Sequence, residues 1–325
     1  MAIFTPVSFN EAESYIKKYD IGSLEKLIPI MAGVENTNYK LQTSKNTFIL
    51  TLFEKRTPSD ALPFVFKVLQ HLTAKKLPVA QPVQQKNDEY LSELNSRPAA
   101  IVSFLNGASI EQPSSAHCEA VGICLARLHL ASEGFMGERE NPFGLNQFEK
   151  FYNEISGNVE EIEKGLDGLI LTEIKWLKSQ PRLNLPTGII HADLFPDNVL
   201  FTTCKNDQLP QISGLIDFYY TATDSFAYDL AITLNCWAGD DNGALNIDKF
   251  RALIKGYESK RKLLDVEKLA MNNMFRIASM RFLLSRANDW FLSDKTVNVA
   301  KKCPLEYVRK LKFHQQQKGY EGFGV

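Results

Sequence analysis

Apolar residues in the first hundred positions of this chain alternate with polar ones in short runs. Later they recur at every third or fourth place, and that change of period divides the molecule. Ser8 followed by Glu11 marks the start of a short helix over 8–20, in the pattern of a capping box. Three runs near 26–33, 37–43 and 47–54, separated by turn residues, predict strands. Leu62, Val65, Phe66, Leu69 and Leu72 then fall at helical spacing within 60–76. A further strand pair surrounds Glu89 to Arg97 and ends in AAIVSFL, residues 99–105. Beyond it the helical period takes over, in stretches 114–132, 146–180 with breaks, 226–238, 246–260 and 265–292, interrupted by one hairpin. The pattern predicts an α+β chain: a small antiparallel-sheet lobe, 1–103, and a larger, mainly helical lobe, 104–325, with the VSFL stretch as hinge. The chain carries no internal repeat and no low-complexity tract.

Composition narrows the function classes. At 325 residues the chain is long enough for two lobes with their own cores. Its net charge of −1 sets up no field that favours nucleic acid or an anionic membrane. No apolar run approaches the ~20 residues of a membrane span. The start, MAIFTPVSFNEAE, has neither a basic n-region nor an apolar h-region, so a cytoplasmic protein is expected. Cys118, Cys124, Cys204, Cys236 and Cys303 form no C-x-x-C pair, which argues against a zinc site or a disulfide framework and for reduced thiols.

The chemistry is concentrated in the hairpin. Residues 189–200 read IIHADLFPDNVL and residues 212–218 read ISGLIDF. Together they place a carboxylate at Asp193, an amide at Asn198 and a second carboxylate at Asp217, in the order that phosphoryl transfer requires. Asp193 is the candidate base, accepting a hydrogen bond from the attacking hydroxyl. Asn198 and Asp217 are candidate oxygen ligands for Mg²⁺, a hard cation. A turn-capping aspartate is the ordinary reading of Asp193 alone, and the other two groups make it the weaker one. His191 is expected to hold backbone carbonyls, and Asp229 to cap the helix DLAITLNCW while bonding the loop backbone. His129 reads as a packed histidine rather than a ligand. Upstream, MAGVENTNYKL (31–41) sits between two strands. Gly33 permits close backbone approach, and Asn36, Thr37 and Asn38 offer donors to phosphate oxygens, though the stretch is no Walker motif and by itself suits a polar β-turn.

At these residues the chain resembles the aminoglycoside phosphotransferase-like kinases, a branch of the bilobal protein-kinase-like fold, on HADLFPDN, LIDF, the later DLA and the LARLH helix. Longer stretches resemble the bacterial homoserine kinases of that fold. These include GVENTNYKLQT, TFILTLFEKR, GLIDFYYTATDSFAYDLAITLNCW and MRFLLSRANDW. The resemblance runs over nearly the whole chain. It implies ATP and Mg²⁺ as cofactors and L-homoserine as the small-molecule substrate, with O-phospho-L-homoserine as product in threonine biosynthesis; charge and the apolar runs lead us to expect no nucleic-acid or membrane partner, and a monomer or homodimer is expected. It matches Asp193 to the base and Asn198 and Asp217 to the metal ligands; Ser103 and Leu105, in the hinge, are further candidate nucleotide contacts. A zwitterionic substrate needs a cation and an anion of its own. Tyr219, Asp224, Trp237, Arg281 and Arg286 are the candidates, bidentate arginine being the usual partner of a carboxylate. Arg286 and Asp289 are also spaced to pair with each other on a helix.

One position departs from the family pattern. Where kinases of this fold place a phosphate-gripping lysine on the third strand, this chain has Thr51. With Lys45-Asn46 as a two-residue hairpin loop, Lys40 falls opposite Thr51 and offers the missing charge from the neighbouring strand. Two rival readings stay open: a kinase of the same fold acting on choline, methylthioribose, hydroxylysine or an aminoglycoside, and a nucleotide-binding pseudokinase. The basic final stretch, KKCPLEYVRKLKFHQQQKG, counts against a polycationic aminoglycoside.

Overall fold

Ser8 caps the first helix, α1 (Phe9–Ile16): its hydroxyl accepts from the Glu11 N–H while Glu11 accepts from the Ser8 N–H at 2.7 Å, the expected capping box. A computed structural model of the protein describes residues 3–31, 36–54, 59–202, 209–240, 242–292, 301–317 and 319. Gly33 lies outside the described residues. The chain falls into two compact units, one within Met1–Asn106 and the other running from Gly107.

The first unit is built on an antiparallel sheet of β1 (Leu24–Ile30), β2 (Thr37–Thr43), β3 (Thr47–Leu52), β4 (Ser92–Leu94) and β5 (Arg97–Ser103), in the order β1-β2-β3-β5-β4. Alternation decides its two faces. Tyr39, Leu41, Leu50, Leu52, Ala99 and Ile101 point one way and form a core with Ala12, Tyr15 and Ile16 of α1. The Tyr15 hydroxyl ties the helix down, donating to the Ala99 carbonyl at 2.7 Å. Asn38, Lys40, Ile49, Thr51, Ala100 and Val102 share the opposite face. Helix α2 (Leu62–Ala74) buries the five apolar positions its period marks, and Phe66 stands 6.4 and 6.3 Å, centre to centre, from the rings of Phe53 and Tyr90.

The β2–β3 register differs from the simplest hairpin. Lys40 pairs with Ile49, and Thr51 pairs with Asn38. The cause is Thr43. Its backbone N–H donates to the Asn46 carbonyl at 2.9 Å, and its hydroxyl oxygen accepts from the N–H groups of Lys45 and Asn46, so the side chain closes the turn one pair earlier than a Lys45-Asn46 loop allows. The shift is two residues, so Lys40 keeps its face but loses its place opposite Thr51.

In the second unit, α3 (Ser115–Ala131), α4 (Phe148–Ile155) and α5 (Leu166–Ser179) precede two short antiparallel pairs, and the stretch 146–180 is broken, as expected, into α4 and α5. β6 (Thr187–Ile190) pairs with the distant β9 (Ala222–Ser225), and β7 (Val199–Thr202) with its hairpin partner β8 (Gln211–Leu215). Then come α6 (Phe226–Trp237), α7 (Ile247–Glu258), α8 (Asp265–Leu292) and α9 (Leu305–Gln316). Helices α3 and α7 approach so closely at Gly122 and Gly256 that a Cβ on either would overlap the other helix's backbone. The basic C-terminal stretch is mostly helical. It forms α9, and its Lys310 is buried in an ion pair with Glu306. Among the described residues, no helix is long and apolar enough to cross a membrane.

Candidate active site

Asp229, buried in the first turn of α6, organises the loop that follows β6. Its two carboxylate oxygens accept the backbone N–H groups of His191 and Ala192, each at 2.8 Å. The helix itself is capped by Ser225, whose hydroxyl accepts from the Tyr228 N–H, so Asp229 does not cap α6 and is given over to the loop. His129 of α3 approaches Asp229 Oδ2 at 3.1 Å through Nε2, and its Nδ1 lies 2.7 Å from the Tyr257 hydroxyl on α7. Burial disfavours charge on His129 and keeps it below its ordinary value, so Nε2 carries the proton it shares with the carboxylate. Burial pushes Asp229 up, but the hydrogen bond from His129 and the loop N–H groups hold it below the usual carboxylate range.

The loop that this carboxylate fixes is strained. Ala192 has φ +63° and Asp217 φ +65°, a conformation side-chain-bearing residues rarely adopt. His191 joins the two positions. Its Nδ1 accepts from the Asp193 N–H at 3.2 Å, which leaves the proton on Nε2, donated to the Ile216 carbonyl at 3.0 Å. One imidazole therefore ties the backbone at Asp193 to the strand end that presents Asp217, the backbone role expected of it. On the other side, Asn198 Nδ2 donates to the Asp193 carbonyl at 2.8 Å and to Asp193 Oδ2 at 3.2 Å. A carbonyl only accepts, so the amide orientation is fixed, and Asn198 Oδ1 is the atom left for a ligand. The Ile216 N–H closes the set by donating to the Asn198 carbonyl at 3.0 Å. Asp193, Asn198 and Asp217 are thus presented by one hydrogen-bonded frame.

Arg281 of α8 also reaches this frame, its Nη1 3.5 Å from Asp193 Oδ1. Trp237, Arg286 and Asp224 stand elsewhere. Trp237 is 1 % exposed, and its indole N–H donates to the Leu194 carbonyl at 2.8 Å, so it supports the loop from beneath rather than facing a ligand. Arg286 is buried in pairing with Glu306 and with the Cys303 carbonyl, not with Asp289, and is spent on holding α9 to α8. Asp224 accepts from Asn141 Nδ2 at 2.7 Å and lines a cavity of about 820 Å³ with Thr223, Asn273 and Met274, a cavity that Asp193 does not line; burial raises its carboxyl above the usual range. Tyr219 contributes its carbonyl to Arg139 Nη1, 2.9 Å away. That arginine also takes the Thr221 carbonyl and braces the stretch after Asp217. Nothing in the sequence singled out Arg139 or Phe143, because both lie in the irregular stretch between α3 and α4, where no periodicity marks a residue.

In the first unit, Thr37 is fully buried. Its hydroxyl accepts from the N–H groups of Phe4 and Thr5 and donates to Glu54 Oε1, which removes it as a phosphate donor. Asn36 is also buried, with Oδ1 accepting from the Glu54 N–H. Asn38 Oδ1 accepts from the Thr51 hydroxyl at 2.7 Å, and Lys40 sets its ammonium 4.3 Å from the centre of the Phe104 ring. Ser103 bonds Gln81 through both N–H and hydroxyl, and Leu105 is half-buried beside it in sequence.

A model of the phosphotransferase enzyme family, APH, matches residues 26–263. The chain belongs to that family. Among curated proteins it is similar to the homoserine kinase of Agrobacterium fabrum, at 42 % identity over all of this chain and 99 % of that one. It is similar also to the homoserine kinase of Xanthobacter autotrophicus, at 41 % over the same shares. Among solved structures it resembles the amicoumacin kinase hAmiN in complex with AMP-PNP, Ca²⁺ and Ami, with a TM-score of 0.67 and 14 % identity, over 98 % of this chain and 94 % of that one. Spectinomycin phosphotransferase APH(9)-Ia, in complex with ADP and spectinomycin, follows at TM-score 0.63 and 14 % identity, over 95 % and 94 %. At such identities the likeness is one of fold.

Proposed function

We propose that the protein transfers the γ-phosphoryl group of ATP to the side-chain hydroxyl of L-homoserine, giving ADP and O-phospho-L-homoserine. The observation that carries the substrate is 42 % identity with a homoserine kinase over the full length of the chain. In this reading Asp193 accepts the hydrogen bond of the substrate hydroxyl and takes its proton as the oxygen attacks phosphorus. The bond to the β-phosphate oxygen breaks, and ADP leaves with that electron pair. Asn198 Oδ1 and the Asp217 carboxylate suit Mg²⁺: both are hard oxygen donors, and two protein ligands beside substrate phosphates is this ion's ordinary setting. Bound there, the ion would neutralise phosphate charge. The chain's own part is to fix both ligands, through the His191 and Asn198 hydrogen bonds.

Residues up to about 103 would then form the nucleotide-binding lobe, with Asn38 and Lys40 on its open sheet face as phosphate contacts, and the remainder the catalytic and substrate lobe. A non-catalytic nucleotide binder needs no base, and the frame around Asp193 argues against that rival. Purified protein with ATP, Mg²⁺ and L-homoserine should release ADP in step with phosphohomoserine. Choline, methylthioribose, hydroxylysine and kanamycin should give rates at least about a hundredfold lower, the discrimination that unpaired polar groups in a site produce. Comparable turnover of any of these overturns the assignment.

A further inference from the structure

We propose that Arg281 is the receptor for the substrate's carboxylate. The proposal rests on the reading of the protein as a homoserine kinase and adds the residue that recognises the amino-acid end of the substrate.

Arg281 is only 3 % exposed, in the middle of α8 between the buried Met280 and Phe282. A buried guanidinium is costly unless its N–H groups find acceptors. The same helix shows how this is usually met. Arg276 makes two bonds to Glu173, at 2.6 and 2.7 Å, and Arg286 pairs with Glu306. Arg281 is different: neither Nε nor Nη1 has a hydrogen-bond partner among the described residues. The carboxylate it pairs with among the described residues, Asp193, stands at 3.5 Å, near enough for attraction but too far for a well-formed hydrogen bond. Three rings surround the guanidinium instead, Phe282 at 4.0 Å, Phe143 at 4.9 Å and Tyr220 at 5.4 Å from its carbon. Such a cage steadies a cation in place without consuming its donors. The result is a rigid, desolvated fork beside the base, with donors to spare.

The ligand chemistry follows. A planar fork with free donors matches a carboxylate or a phosphoryl group. In homoserine, Cα, Cβ and Cγ separate the hydroxyl oxygen from the carboxylate carbon. A hydroxyl bonded to Asp193 therefore carries its carboxylate within reach of a guanidinium 3.5 Å from that same residue. The substrate would supply the acceptors that the protein withholds.

The test compares L-homoserine with 3-aminopropan-1-ol, which has the same hydroxyl and amine and a hydrogen in place of the carboxylate. In the wild-type protein kcat/KM should favour homoserine strongly. In Arg281→Met that preference should fall by about 10–100-fold, the value of a charge-assisted pair. The loss should appear in the KM for homoserine, with the KM for ATP unchanged. Arg281→Lys, which keeps the charge and loses the fork, guards against a folding defect in the first variant and should show a smaller fall in the same ratio. If both variants slow the two alcohols equally, Arg281 acts on Asp193 or on the phosphoryl group, and the assignment is overturned while the functional reading stands. Absence of homoserine turnover by the wild-type protein overturns the functional reading and this one with it.

Discussion

At the scale of the residue, the candidate site is a set of groups whose partners leave them one task each. Asp193 has its carbonyl held by Asn198 and its N–H held by His191, so its carboxylate is aimed by the backbone on both sides. Asp193→Asn keeps the shape and an acceptor for Asn198 but removes the base. Turnover should fall by about 10²–10⁴-fold, with ATP affinity unchanged by isothermal titration. A variant that keeps more than about a tenth of wild-type kcat would exclude Asp193 as the base. Thr51, 3 % exposed and bonded to Asn38, shows the opposite economy: the position that the family resemblance matches to a lysine is a short polar bridge between strands.

At the scale of the element, the apolar period located the helices well, because each long helix buries one face and its spacing is local information. α2 and α8 fall where Leu62 to Leu72 and the 265–292 stretch place them, within a residue or two. What the pattern could not carry was long-range or side-chain-closed. β6 pairs with β9 across the intervening hairpin, and the β2–β3 register is set by the Thr43 hydroxyl, not by turn length. That Asp193, Asn198 and Asp217 belong together was legible, since their order is a property of the chain, and one hydrogen-bonded frame does present all three. The roles of Trp237, Arg286 and Thr37 were not, since burial decides them and only the tertiary fold sets burial. The α3–α7 pair gives a direct test of packing. A methyl at Gly122 would meet the Leu253 carbonyl, backbone that cannot rotate away. Gly122→Ala should therefore destabilise the protein by about 1–3 kcal/mol, read as a lower denaturant midpoint. An unchanged midpoint would mean the helices part without cost.

At the scale of the whole molecule, stability should depend on pH through histidines kept neutral by burial. His129, His191 and His314 are all held below the ordinary value of 6.5, His314 down to about 3. The sign follows from proton uptake. Below pH 6.5 the unfolded chain binds protons that the folded chain refuses, so stability is complete above 6.5 and drains away as the pH drops, until each folded-state value is reached. Each histidine contributes a loss of at most about 1.4 kcal/mol per pH unit. Asp224, raised by burial, works in the opposite direction and is outnumbered. Thermal unfolding followed from pH 7.5 to pH 5 at fixed salt should show a steady fall in Tm, with a shallower slope in His314→Gln. A flat profile over that range would mean that the three imidazoles are not neutral in the folded protein.

The grip of Asp229 on two main-chain N–H groups has an evolutionary consequence. Backbone amides are the same whichever side chain follows them, so the two bonds Asp229 makes to the loop do not depend on the side chain at position 193. On the proposed reading, a single codon change there would silence the chemistry and leave the loop's main chain held as before. Descendants of such a gene could serve as metabolite sensors from their first generation, with no intermediate that must first lose and then regain its fold.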